Sequence, residues 1–204
     1  MSLSAQNLTC LRGDRLVFDG VSFSISDGQA LWVRGKNGAG KSSLLRICAQ
    51  LLKPVGGVLS WQETDVSRHP DIYQGKYHYL GHQDALKAVL TVSENLDFWA
   101  GFQGAPDVEK ALGDYDLAGL KNIPVALLSA GQKKRAALAR LAASPAPLWI
   151  LDEPVSSLDT HFMDLFKQRL TEHLEQGGMA LFATHQDLEL SNISILDLDV
   201  GRAV

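Results

Sequence analysis

Eight consecutive residues, Gly35-Lys36-Asn37-Gly38-Ala39-Gly40-Lys41-Ser42, fit the spacing G-x-x-x-x-G-K-[ST]. Glycines admit backbone conformations closed to other residues, so successive N–H groups can point into one concavity that draws phosphate oxygens. A helix opening behind such a loop adds the positive end of its dipole. Lys41 then offers a point charge to the β- and γ-phosphates, and the Ser42 hydroxyl a ligand for Mg²⁺. Gly35, Asn37, Gly38, Gly40 and Ser43 complete the expected nucleotide cradle. A chance match in 204 positions has a probability on the order of 1%.

A second group carries acids. Leu148-Trp149-Ile150-Leu151-Asp152-Glu153-Pro154 is an apolar run ending in two carboxylates. Ligands gather at the carboxyl ends of strands in an α/β sheet. Asp152 there would hold Mg²⁺, and Glu153 would face the terminal phosphate and position or deprotonate an attacking water. Taken alone, the pair also fits a solvated loop start. A third group, Leu128-Ser129-Ala130-Gly131-Gln132, reads as a helix opening capped by Ser129, and hence as a second anion-attracting helix end.

These groups require a frame. Val21, Phe23 and Ile25 fall at the strand period, and Ala30–Val33 is a short buried strand leading into the phosphate loop. Behind the loop, Leu44, Leu45, Cys48, Leu51 and Leu52 share one helical face, with Pro54 beyond. Strands are expected at 58–61, 77–80, 148–151, 179–183 and 193–198, and helices at 131–143 and 161–176. From Asp84 to Leu128 the pattern turns helical, at 91–102, 106–113 and a short piece at 117–121. Alternating strands and helices imply an α/β fold with a mainly parallel sheet. The run 84–130 is the expected helical insertion in a single domain spanning 1–204.

Composition excludes several classes. With 19 basic and 23 acidic side chains the net charge is −4, a poor basis for non-specific nucleic-acid binding. Cys10 and Cys48 have no metal-binding or heme-attachment spacing and are expected as reduced, buried thiols. No run approaches the roughly 20 apolar residues that span a bilayer, and no secretory leader is expected. His69, His78, His82, His161 and His173 are scattered, so packing or surface roles are expected and direct heme binding is not. Lys133-Lys134-Arg135 is expected to form a solvated helix face.

In order along the chain, these motifs resemble those of the ATP-binding cassette (ABC) ATPases. GKNGAGKS is similar to their phosphate loop, Gln83 stands at the Q-loop position, and Thr91–Leu96 resembles the opening of their helical subdomain. LSAGQ resembles their signature, Leu148–Pro154 their Walker B strand with its glutamate, Ser157-Leu158-Asp159 their D-loop, and His185 their switch histidine. The resemblance implies a P-loop NTPase of ABC type, with an antiparallel β subdomain and the helical subdomain inserted. It implies ATP and Mg²⁺, with Ser42, Gln83 and Asp152 around the metal. Glu153 would be the base, His185 would contact the γ-phosphate, and Gln83 would touch metal or water and report nucleotide state. Ser129 and Gly131 would serve ATP bound to a second copy, so that two chains close head-to-tail as an ATP-sandwich dimer. The aromatic residue that often stacks on adenine in that family falls near Arg12, whose planar guanidinium can also stack, so weak base discrimination is expected.

Within the family, GHQ at 81–83, LSAGQKKR at 128–135, LWILDEP at 148–154 and EQGG at 175–178 most resemble the ATP-binding subunit of the cytochrome c maturation heme exporter. That resemblance implies integral membrane partners of the CcmB and CcmC type, no nucleic acid, and a peripheral position on the cytoplasmic face of the inner membrane. Other small exporters of lipid, drug or metal form the alternative. Cassettes acting on ribosomes or DNA usually carry two cassettes or long coiled-coil insertions, which this chain lacks. An assembly module with little turnover is disfavoured by Glu153.

Overall fold

The computed structural model describes residues 1–102, 107–191 and 193–199. Pro106, where one helix was expected to open, lies outside them. Nine strands and five α-helices are assigned among the described residues. Strands β1 (Ser2–Arg12), β2 (Arg15–Ser26), β4 (Gly56–Trp61) and β5 (Thr64–Asp65) form an antiparallel sheet in the order β2-β1-β4-β5. Strands β3 (Ala30–Arg34), β6 (Tyr77–Leu80), β7 (Leu148–Asp152), β8 (Met179–Ala183) and β9 (Ile193–Asp197) form a parallel sheet in the order β6-β7-β8-β3-β9. The helices are α1 (Lys41–Cys48), α2 (Val92–Ala100), α3 (Val108–Asp114), α4 (Ala130–Ala143) and α5 (Thr160–Glu175).

Strands β7 and β8 are buried at every position, because both faces of the parallel sheet are covered. Their side chains divide by alternation. Leu148, Ile150 and Leu181 join a core with α1 and the antiparallel sheet, including Leu44, Leu45 and Trp61. Trp149, Leu151 and Phe182 join a second core with Leu96, Leu112, Leu138 and Phe166 from helices α2 to α5. One register therefore ties each residue to its layer, since a one-residue slip would exchange the two faces.

Three expectations are corrected. Leu51 and Leu52 do not extend α1. Gln50 adopts a left-handed conformation (φ +55°), and Leu51 N–H closes on the Arg46 carbonyl at 2.8 Å, a Schellman stop that leaves Leu51 63% exposed. The piece at 117–121 is one 3₁₀ turn, Ala118–Leu120. The basic run is not a solvated face, since α4 packs against both α2 and α3. Lys134 is buried, and the Arg135 guanidinium lies 4.0 Å over the Phe162 ring. Cys10 and Cys48 are both buried and unpaired.

The glycine pair at 177–178 has a packing cause. A Cβ on Gly178 would lie 2.3 Å from the His173 ring. That ring stacks flat on Trp149, 4.0 Å between centroids, and its Nε2–H donates to the Met179 carbonyl. His78 is likewise buried, with Nε2–H donating to the Ser144 carbonyl at 2.8 Å. Burial lowers both imidazoles from 6.5 to about 4, so both are neutral in the fold. Unfolding restores their ordinary affinity for protons, and the unfolded chain takes up protons that the folded chain refuses. Their contribution is complete above pH 6.5 and falls as the pH drops towards 4, by on the order of 1 kcal/mol per pH unit for each ring. Denaturant titrations at pH 7.5 and pH 5 should show this loss, and His78→Gln should flatten it. Equal pH dependence in wild type and variant would refute the assignment.

Candidate functional site

The site begins at an incomplete helix end. The first N–H groups of any α-helix lack partners inside the helix. In α2, α3, α4 and α5 the side chains of Thr91, Asp107, Ser129 and Asp159 each accept one of those N–H groups. In α1 the N-cap is Gly40, with no capping side chain and no acid in the first turn. The amino end of α1 is thus left to whatever anion enters. Gly40 itself is forced twice over. Its φ is +108°, and a Cβ there would lie 2.6 Å from Val17 Cγ1. The loop before it is closed by Ala39 N–H donating to the Lys36 carbonyl, and Lys41 Nζ lies 2.7 Å from the Gly35 carbonyl.

Two neighbouring strand ends bring the acids and the histidine to the same place. Asp152 closes β7 in register with Ala183 of β8 and is 4% exposed. The chain then turns sharply, with Glu153 at φ +54°, a conformation rare for a side chain with a Cβ. Glu153 N–H donates to the Ala183 carbonyl at 2.8 Å, and the Ser156 hydroxyl donates to the Glu153 carbonyl at 3.0 Å. From the end of β8, His185 places Nε2 3.6 Å from Glu153 Oε1. The residue before it is fixed from β3, where the buried Trp32 indole N–H donates to the Thr184 carbonyl at 3.0 Å.

These pieces line one open cleft of about 730 Å³. Its walls include Asn37, Gly38, Gly40, Lys41, Ser42 and Ser43 from the loop and helix, Asp152, Glu153 and His185 from the strand ends, and Arg12 from the β1–β2 hairpin. Arg12, Arg15, Lys41 and Arg46 face Asp152 and Glu153 there, so the cleft is cationic in a chain of net charge −4. Gly35 lies at its edge in the adjoining hollow shared by Lys41 and His185. Gln83 is not among the cleft walls. It is exposed and lines a neighbouring hollow, and His82 reaches the cleft instead. Ser129 and Gly131 also lie elsewhere. The Ser129 hydroxyl accepts from Gln132 N–H, and a Cβ on Gly131 would lie 3.2 Å from the Ser157 carbonyl.

Three residues at or beside the cleft, Arg15, Arg46 and Trp32, are given no site role by the sequence. Arg15 pairs with Arg12 across the Gly13-Asp14 turn, and that turn signal points to it. Arg46 follows Ser42 by one helical turn, which puts both on one face. Burial raises the Tyr79 phenol's pKa against the pull of the Arg46 guanidinium. Trp32 carries no local signal, because its partner Thr184 lies just beyond β8, far along the chain. Chemically, the cleft can bind a polyphosphate through backbone N–H groups and Lys41. Ser42 and Asp152 offer oxygen ligands to a hard cation, and Glu153 offers a carboxylate to a water. Among the described residues, no cluster of three His, Cys, Asp or Glu residues is placed to hold a metal.

The sequence pattern of the ABC transporter family matches residues 18–156. The cytochrome c biogenesis ATP-binding export protein CcmA of Paramagnetospirillum magneticum is 47% identical over 97% of this chain and 94% of its own length. The protein of the same name from Rhodospirillum rubrum is 46% identical over 96% of this chain and 85% of its own. An ABC transporter ATP-binding protein from Pyrococcus furiosus superposes with a TM-score of 0.85 at 22% identity, covering 98% and 99% of the two chains. An ATP-binding subunit of an ABC transporter superposes at 0.84 and 24% identity, over 97% and 87%.

Gly40→Ala should weaken nucleoside triphosphate binding by at least about tenfold, ~1.4 kcal/mol, because the added carbon displaces Val17 and opposes the left-handed backbone. Fluorescent-nucleotide titration reads the change. Binding within twofold of wild type would show that the amino end of α1 is not the anion site.

Proposed function

The chain belongs to the ABC transporter family, and we propose that it hydrolyses ATP to drive heme export and handover in c-type cytochrome biogenesis. The observation that carries the hydrolytic part is the meeting of the uncapped α1 end with the Glu153–His185 pair in one cleft. The cytochrome c part rests on relatives of that name at 42–47% identity over nearly the whole chain.

In this reading the loop N–H groups of Gly38, Gly40 and their neighbours, with Lys41, bind the β- and γ-phosphates. Gly35, Asn37 and Ser43 shape and extend that cradle. Ser42 and Asp152 would hold Mg²⁺, with Gln83 reaching it when the adjoining segment closes. The bound cation would neutralise phosphate charge. Glu153 accepts a proton from a water whose oxygen forms a bond to the γ-phosphorus as the bond to the bridging oxygen breaks. ADP then leaves with that electron pair. His185 steadies the γ-phosphate beside Glu153. Arg12 lies against the base and selects weakly among bases.

Ser129 and Gly131 lie outside the chain's own cleft, which supports their service to nucleotide held by a second copy. We infer a head-to-tail dimer that closes on two ATP molecules and reopens after hydrolysis. No helix among the described residues is long and apolar enough to cross a membrane. The transport step is assigned to separate membrane subunits of the CcmB and CcmC type, with this chain peripheral on the cytoplasmic face of the inner membrane.

Glu153→Gln should lower ATP turnover on the order of 10²–10⁴-fold while nucleotide affinity stays within twofold. It should also favour the closed dimer in ATP, read by light scattering. Unchanged turnover would remove Glu153 as the base. Purification from membranes should recover cytochrome c maturation subunits with the chain, and recovery of a lipid or drug permease in their place would overturn the cytochrome assignment.

A further inference from the structure

Asp84 directly follows Gln83, and its carboxylate is held by a residue fifty positions away. Lys134 Nζ of α4 lies 2.8 Å from Asp84 Oδ1, with the lysine side chain 8% exposed and the aspartate 26%. Further along α4, the Arg140 guanidinium donates to the Asp84 carbonyl at 3.4 Å and lies 3.7 Å over the Trp99 ring of α2. Beyond Asp84, the wholly buried Asn95 of α2 accepts from Lys87 N–H at 2.8 Å and donates to the carbonyls of Lys87, Leu90 and Thr91. The irregular segment from 84 to 91 is therefore fastened to α4 at its start and to α2 at its end.

This fastening differs from an ordinary surface ion pair. An exposed pair contributes little, but an ammonium buried to this degree is costly unless it is matched, so removal of either partner strands the other. The fastened residue also adjoins Gln83, and the fastening helix is the one that opens at Ser129 and Gly131. We propose that Lys134 is a positioning residue that locks the Gln83 turn, through Asp84, to the helix bearing Ser129 and Gly131, so that the two travel as one body. A shift imposed at Gln83 is thereby delivered to the face that meets the second copy. The inference rests on the ATPase reading above.

The test uses the full chain with Lys134→Ala, Asp84→Asn, Lys134→Arg and the exchanged pair Asp84→Lys with Lys134→Asp. Turnover, Mg·ATP affinity and thermal midpoint are measured for each. Lys134→Ala and Asp84→Asn should each lower kcat at least fivefold with nucleotide affinity within twofold, because the phosphate cleft is untouched. Lys134→Arg and the exchanged pair should recover half or more of kcat. In hydrogen exchange, Lys134→Ala should speed amides 84–90 and leave α1 unchanged. A kcat within twofold of wild type in both single variants overturns the proposal. So does a loss of affinity that matches the loss of kcat and is not restored by exchange. Absence of Glu153-dependent turnover in the wild type would instead overturn the ATPase reading and this inference with it.

Discussion

The amino end of α1 is the constraint around which the rest is arranged. Its first N–H groups are the only ones opening a described α-helix without a side-chain acceptor. A buried, unmatched N–H costs free energy, so a helix end of this kind must remain open to solvent or to an anion. It remains open on the side where Gly40, Lys41, Ser42 and Ser43 line the cleft. Val17 and Phe18 press against Gly40 from below, and Arg12 and Arg15 stand at the rim. The cationic rim and the helix end act in the same direction, which is why a net acidic chain can present an anion site.

The parallel sheet completes that site by the order of its strands. β7 and β8 are neighbours, and β8 lies beside β3, which feeds the phosphate loop. Their carboxyl ends therefore fall side by side although residues 35, 152 and 185 are remote in the chain. Local backbone strain sharpens the arrangement. Glu153 is held left-handed by its N–H bond to Ala183 and by Ser156, so its carboxylate turns towards His185 rather than continuing the strand. The Trp32 indole anchors the opposite side through Thr184. A reacting group placed by three strands of one rigid sheet needs little reordering when ligand arrives.

The helical layer serves a different purpose. Buried polar residues, Asn95, Lys134 and Arg140, join it to the segment after Gln83. Hydrophobic packing alone would tolerate small slides between these helices, whereas directional hydrogen bonds and a matched buried charge specify one arrangement. The nucleotide cleft and the Gln83 hollow are thus adjacent but separately built. Arg46 touches both, since it lines each of them from the same helix as Ser42.

Much of this was legible in the residues. The spacing of Gly35 to Ser42, the acids closing an apolar run at Asp152-Glu153 and the capping serine at Ser129 each state their chemistry locally, because glycine freedom, strand burial and helix capping act within a few residues. Most element positions followed from periodicity, which reports burial directly. The end of α1 at Gln50 did not, since a non-glycine Schellman stop has no compositional mark. The burial of Lys134 did not either, because its environment is made by α2 and by the segment at Asp84. What tertiary structure alone decided was adjacency: that His185 meets Glu153, that Trp32 fixes Thr184, that Gln83 stands beside the cleft rather than in it, and that Arg15 joins Arg12 at its rim. The physical reason is that sequence encodes which face of each element is apolar, whereas the partner a polar group finds depends on how those faces stack across distant parts of the chain.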